Sequence, residues 1–248
     1  FEPDLTVSDL DVTYKKLYQL LDQLQLTIYQ PSLYIYPSKR EKYEITLAGN
    51  KANLTQLGRE SGMIKLMMIN LLKRLECSVA AFRYTLIDVV KSYVDETLKA
   101  ISTYEQTGLD ALSGVPVLNE DDFDIEDSNL DVFIGKKNRI ALKDMDYHSW
   151  KLELEKDQAI LLELEELIDQ ITPAEDKKLQ TLYRLIEEKM THPINEGNKK
   201  LIIFSAFATT TNYLYKHISQ YVLYKYGLHT AQISGTKGFE TTLKTNHR

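Results

Sequence analysis

The sequence predicts a mostly α-helical chain that closes on a short β-α-β unit. Three observations predict this. Gly and Pro number only 10 and 6 in 248 residues, so long stretches run without strong breakers. Apolar residues recur at spacings of three and four over most of the chain. After Pro193 the pattern changes to short continuous apolar runs punctuated by glycine, the form taken by strands buried on both faces. A hydrophobic share of 43% with 27% charged residues is enough for a sizeable core and excludes disorder as a description of the whole.

In chain order, Leu10, Tyr14, Leu17, Leu21 and Leu24 mark an amphipathic helix from Asp9 to about Leu26, with Ser8 and Asp9 offering capping oxygens. Gln30-Pro31-Ser32 interrupts it. The tyrosines that follow, Tyr29, Tyr34, Tyr36 and Tyr43, either pack across a helix pair or present a partly exposed face, and packing is the expectation. From Ser61 to Gln106 there is no proline, and Ile64, Met67, Leu71, Leu75, Val79, Phe82, Leu86, Val90 and Val94 keep helical periodicity. One very long helix or two consecutive ones are expected, spanning between two bodies or forming an arm.

Residues 119–131 hold seven carboxylates and no basic side chain, just after Gly114 and Pro116. An acidic loop of about 114–135 is predicted. It lacks the ligand spacing and turn glycine of a calcium loop, so no metal ligands are assigned. A further helix runs from about Tyr147 to Ile171, and Thr172-Pro173-Ala174-Glu175 reads as a capping box starting the next, so the pair forms a helical hairpin. Then Leu201-Ile202-Ile203-Phe204 is expected as a strand, Thr209 to Tyr226 as a helix ending at Gly227, and His229 to Ser234 as a second, parallel strand ending at Gly235. Two strands and one helix cannot cover both faces of a sheet, so this unit reads as a beginning without its remainder. The opening Phe1 in place of methionine likewise suggests a piece of something longer.

Charge is uneven. Residues 1–118 carry 13 basic and 14 acidic groups, 119–193 carry 10 and 20, and 194–248 carry 7 and 2. A polyanion, if bound, is expected at the basic last segment, although a plain solvated surface accounts for the charge equally well. The single cysteine, Cys77, cannot form an internal disulfide, and no apolar run reaches about 18 residues. A cytoplasmic chain with no membrane partner is therefore expected.

Ligands of a parallel sheet sit at the carboxyl ends of its strands, against the start of the next helix. Here that place is Ser205 to Thr211, where the hydroxyls of Thr209, Thr210 and Thr211 either cap the helix or bind a phosphate oxygen. Gly235-Thr236-Lys237-Gly238 is either a plain turn or a place where a lysine meets a phosphate. A phosphate loop needs two glycines four residues apart followed by Lys and then Ser or Thr, and no stretch of the chain has that. The five histidines lack metal-site spacing, Cys77 reads as a small core residue, and no catalytic residue is assigned.

The segment Asn70-Leu71-Leu72-Lys73-Arg74-Leu75-Glu76-Cys77-Ser78-Val79-Ala80-Ala81-Phe82-Arg83 resembles the signature helix of bacterial Swi/Snf-type superfamily 2 helicase-like ATPases. In order around it, Tyr29-Gln30-Pro31-Ser32-Leu33-Tyr34, Gly135-Lys136-Lys137, Asp144-Met145-Asp146, Ile171-Thr172-Pro173 and Pro193-Ile194-Asn195-Glu196-Gly197-Asn198-Lys199-Lys200 before Leu201 to Phe207 are similar as well. The resemblance implies two RecA-like lobes closing on ATP and moving along nucleic acid. It implies that residues 1–193 are the helical region between the lobes and 194–248 the truncated start of the second RecA-like lobe. Carried over, it marks Ser205, Thr209, Gly235 and Lys237 as facing the nucleic-acid backbone, and implicates Arg74 and Arg83, for which helix packing is the first expectation. ATP and magnesium would belong to the parent protein and no cofactor to this piece, because the phosphate loop, the Asp-Glu-x-His motif and the final arginine motif are absent. The implied partners are nucleic acid, DNA foremost, and the remaining helicase lobes, with exposed sheet edges open to homodimer formation. The rival reading is a helical protein–protein interaction module without catalysis, docking through its tyrosine-rich or acidic face.

Overall fold

A computed structural model describes residues 14–44, 56–112, 140–235 and 238–243. The Ser8 and Asp9 caps, the acidic loop of 114–135, Gly135-Lys136-Lys137 and Lys237 lie outside the described residues. The described chain is mostly helical, as the periodicity predicts. Its helices are α1 (Tyr14–Gln23), α2 (Arg40–Glu44), α3 (Gln56–Cys77), α4 (Val79–Arg83), α5 (Ser92–Thr107), α6 (Tyr147–Asp169), α7 (Lys177–Thr191) and α8 (Ala208–Tyr226), and its strands are β1 (Ala231–Ser234) and β2 (Gly238–Thr241). A π-helical stretch, Tyr84–Lys91, joins α4 to α5. No described helix is long and apolar enough to cross a membrane.

The chain divides into two compact units, one of Leu17–Leu72 with Thr85–Glu166, the other of Lys73–Tyr84 with Leu167 onward and the first described residues of α1. In the first unit Leu17, Leu21, Met67, Leu71, Leu86, Val90, Leu142, Leu154, Leu161 and Leu164 are buried, each contributing about 2 kcal/mol of apolar burial. All but Leu142 fall on the three-and-four spacing read from the sequence. The tyrosines divide: Tyr29 and Tyr43 are buried, whereas Tyr36 is exposed.

Two buried carboxylates organise this unit: Asp157, which does not stand out in the sequence, and Asp144, which the resemblance includes. Asp157, in the middle of α6, accepts hydrogen bonds from Gln25 N (2.9 Å), Thr27 N (2.8 Å) and Thr27 Oγ1 (2.6 Å). It thereby holds Leu26 in a left-handed conformation at φ 54°, which costs a non-glycine residue about 1 kcal/mol. Trp150 Nε1 donates to Thr27 O at 3.2 Å and closes the same loop. Asp144 accepts from Lys42 Nζ (2.6 Å) and Tyr43 OH (2.8 Å), and these bonds, Lys42's foremost, hold its carboxyl below the ordinary value of 3.8.

The second unit packs α7 against α8 through Leu179, Ile186, Met190, Ile218 and Val222. A helix follows Thr172-Pro173 as expected, but its cap lies further on. Thr172 N donates to Glu175 Oε2 at 2.9 Å, half of the predicted box, within a turn. The helix starts only at Lys177, with Asp176 as N-cap accepting from Lys178 N and Leu179 N, both at 3.0 Å. Asp176 prevails because its Oδ2 also accepts Tyr213 OH from α8 at 3.0 Å.

The predicted β-α-β pairing needs correction. Leu201 to Phe204 forms no strand, joins no described strand and is exposed, Phe204 by 90%. β1 lies inside the expected second strand, but it pairs antiparallel with β2, in the register Ala231 with Thr241 to Ser234 with Gly238. A run of apolar residues specifies burial only when a neighbouring strand supplies the ladder, and here the near neighbour in sequence is the hairpin partner.

Candidate functional site

Two segments that the resemblance takes from separate motifs meet inside the second unit. The helix is interrupted between α3 and α4 at Ser78, which adopts an extended backbone (φ -158°, ψ 148°). Its hydroxyl accepts Ala81 N at 3.0 Å, capping α4. The same hydroxyl lies 2.9 Å from Thr210 Oγ1 in the first turn of α8. Beside it Cys77 Sγ sits 3.4 Å from Thr210 Oγ1 and 3.7 Å from Ser205 Oγ. The single long helix allowed by the sequence is therefore broken, and its break is the docking point.

Arg74, one turn before the break, is fully buried, with its guanidinium 4.7 Å from the centre of the Phe207 ring. A cation over a ring face retains favourable electrostatics when desolvated. Arg83, at the end of α4, is exposed and donates from Nε to Asp169 Oδ1 at 2.8 Å. Lys178 Nζ donates to Glu76 O at the end of α3. These contacts tie the 73–84 segment to Phe207, Asp169 and Lys178.

Ser205 Oγ accepts Phe207 N at 3.2 Å and so shapes the turn that leads into α8. The N-cap of α8 is Phe207, without a side-chain cap bond, rather than one of the threonines. Thr209 is half-buried, Thr210 is committed to Ser78, and Thr211 Oγ1 donates back to Phe207 O at 3.3 Å. Gly235 lies in the turn after β1. The fold thus gathers Arg74 and Ser205 around one joint, and places Arg83 at its solvent side. Phe207, Ser78 and Thr210 were not singled out by sequence reasoning, although Thr210 stands in the threonine run that was.

Two concavities adjoin this joint. One, about 190 Å³, is lined by Cys77, Ser78, Ser205, Thr210 and Tyr213 among others. Burial, with the charge of Asp176 beside it, raises the Tyr213 phenol well above its ordinary range, so it stays protonated and donating. Burial lowers His217, one turn along α8, below its ordinary value. The second concavity is a groove of about 400 Å³ between Leu201–Ser205 and Thr230–Ile233, floored by α8. Among the described residues no group of three or more His, Cys, Asp and Glu side chains is disposed to hold a metal ion. Hydroxyls, a thiol and a shielded arginine make a joint suited to holding two segments in register.

Compared with known proteins, the chain matches no family model, no curated protein and no solved structure.

Proposed function

We propose that this chain is part of an ATP-driven nucleic-acid helicase or translocase of the Swi/Snf type, joining two motor lobes and contributing to the nucleic-acid side of the second. The observation that carries this reading is the joint itself. Residues 74–78 and 205–210, which the resemblance draws from two separate motifs, are bonded through Ser78 and Thr210, Cys77 and Ser205, and Arg74 and Phe207. A motor that transmits lobe closure along helices needs such a register-fixing contact between a lever helix and the turn that approaches the strand backbone.

In this reading Arg74 acts by packing, because its charge is buried, and Arg83 by its ion pair with Asp169, while Gly235 and Lys237 are assigned to phosphate contact. Ser205 shapes the turn that leads into α8, and Thr209 is assigned beside it to the same face. Phosphoryl transfer requires a phosphate-cradling loop, a magnesium-holding carboxylate and a charge-stabilising arginine together. The sequence has no phosphate loop, so ATP and magnesium are assigned to other parts of the parent protein and this chain alone turns over no ATP.

The test is binding to single- and double-stranded DNA and to RNA of matched length across a salt series. Log affinity is expected to fall linearly with log salt, and Lys237→Glu to lower that slope by about 1. An absence of binding at low salt, or a slope that Lys237→Glu leaves unchanged, would remove residues 235–237 from the nucleic-acid face.

A further inference from the structure

The first unit carries a cationic surface that the sequence does not announce, because its members come from two distant segments. Tyr36 N donates to Asp144 O at 3.1 Å, Asp146 N donates to Tyr34 O at 2.8 Å, and Ile35 and Met145 pair as an antiparallel bridge. Lys143 is thereby brought beside Tyr36, more than a hundred residues away in the chain. Lys39 N donates to Tyr36 O at 2.8 Å in the turn that leads into α2, and the charge of Lys39 helps to hold the Asp144 carboxyl low. Arg40 follows it as the first residue of α2.

Lys39, Arg40 and Lys143 are exposed and form no ion pair among the described residues, whereas Lys91, Lys151 and Lys156 of the same unit are each paired with a carboxylate. The carboxylates of the bridged segment are engaged. Asp144 accepts from Lys42 and Tyr43, and Asp146 from Ser149 N at 3.1 Å and Ser149 Oγ at 2.7 Å. Glu41, exposed beside Arg40, offsets one of the three cations. The second observation is the ring among them. Tyr36 is 43% exposed on a backbone held by Asp144 O and by the Lys39 turn, and Pro37 after it restricts it to the extended region, at φ -56° and ψ 136°. An aromatic face is thus presented to solvent at little further cost in order.

We infer that Tyr36, Lys39, Arg40 and Lys143 form a sequence-tolerant contact for single-stranded nucleic acid. One base stacks on the Tyr36 ring, and the phosphates on either side of it meet the three cations. Cations alone would answer to any anionic surface, and the exposed ring is what selects a ligand that carries planar bases between its charges. The contact lies within the first unit and is read from unpaired charge and an exposed ring, so it stands whether or not residues 235–237 touch nucleic acid.

The probe is a fluorescein-labelled oligodeoxythymidine titrated with the full chain across a salt series and followed by fluorescence anisotropy. Lys39→Gln and Lys143→Gln are each expected to reduce the slope of log affinity against log salt by about 0.7. Tyr36→Ala is expected to weaken binding about tenfold at every salt concentration with the slope unchanged, and Tyr36→Phe to restore it, since stacking needs the ring and not the hydroxyl. All three positions are exposed, so the helical circular dichroism is expected to stay as in wild type. Wild-type affinity in Tyr36→Ala, or a slope that neither lysine variant changes, would overturn the proposal. So would displacement of the oligonucleotide by phosphatidylserine vesicles whose own binding Tyr36→Ala leaves intact, since the surface would then face lipid. Lys237→Glu in the same assay separates this site from the motor reading. A loss in Lys237→Glu without one in Tyr36→Ala sinks this contact and leaves that reading standing, and the converse keeps this contact and removes residues 235–237.

Discussion

Removing the hydroxyl of Thr210 tests the joint most directly. Thr210→Val keeps shape and volume but deletes the oxygen that lies 2.9 Å from Ser78 Oγ. Both residues are buried, at 5% and 6% exposure, so water does not replace the lost partner. A neutral buried hydrogen bond is worth about 1 kcal/mol. Ser78→Ala loses that same bond and also the cap on Ala81 N, which adds about 1 kcal/mol. If the hydroxyls act on each other, the double variant loses their shared bond only once, and the cycle returns a coupling of about 1 kcal/mol. Because the chain has two units, a single global unfolding energy is a poor measure, and local amide exchange is the better assay. The Phe82 amide, bonded to Ser78 O at 3.0 Å, and the Thr211 amide, bonded to Phe207 O at 3.1 Å, keep their backbone partners in every variant. Each is expected to exchange about fivefold faster in Thr210→Val. Strictly additive effects in the double variant, or a change at Phe82 without one at Thr211, would refute the joint.

Asp157→Ala is expected to cost about 3 kcal/mol, since it leaves two backbone N–H groups without their buried acceptor and releases Leu26 from its left-handed turn. Trp150, the only tryptophan, bonds the same loop, so its fluorescence during urea unfolding reports the loss. Asp144 gives a pH dependence: its folded carboxyl is held below 3.8 by Lys42 and Tyr43, so its contribution is complete above that value and is lost as pH falls through the lower folded value. Wild type and Lys42→Met should therefore differ at neutral pH and converge in acid below 3.8, and a gap that persists through that range would contradict the assignment. Gly227 ends α8 at φ 63°, and a methyl group on its Cα would meet only open space, so Gly227→Ala should cost about 1 kcal/mol from backbone strain alone, measured as faster exchange in the last turn of α8.

The helices were legible because their signal is local. Leu17, Leu21, Met67, Leu71, Leu154, Leu161 and Leu164 are buried where the three-and-four spacing puts them, and one face of a helix can be read without knowing its partner. The cap at Asp176 was missed because two capping sequences stand side by side, and the choice depends on Tyr213, a residue on another helix. Asp157 looked like any carboxylate of a glutamate-rich helix. Only the fold brings Gln25 and Thr27, more than a hundred residues earlier, to its oxygens.

The candidate site divides the same way. The segments 70–83 and 201–207 drew attention in the sequence, as did the threonines after them. That they touch, that Ser78 interrupts the helix to make the contact, and that Arg74 turns inward onto Phe207 all depend on chain distance closing in space. The strand at Leu201 to Phe204 shows the limit most plainly. Four apolar residues predict a buried strand, but strand pairing is a property of two segments; β1 took its partner from β2, and Leu201 to Phe204 stays exposed. The sequence by itself determined helix positions, their buried faces and the extended tendency of the last runs, because these follow from torsional preference and hydrophobic period. The tertiary structure alone decided which polar groups face each other and which edges stay open, because a hydrogen bond or a ladder is set by the position of its second member.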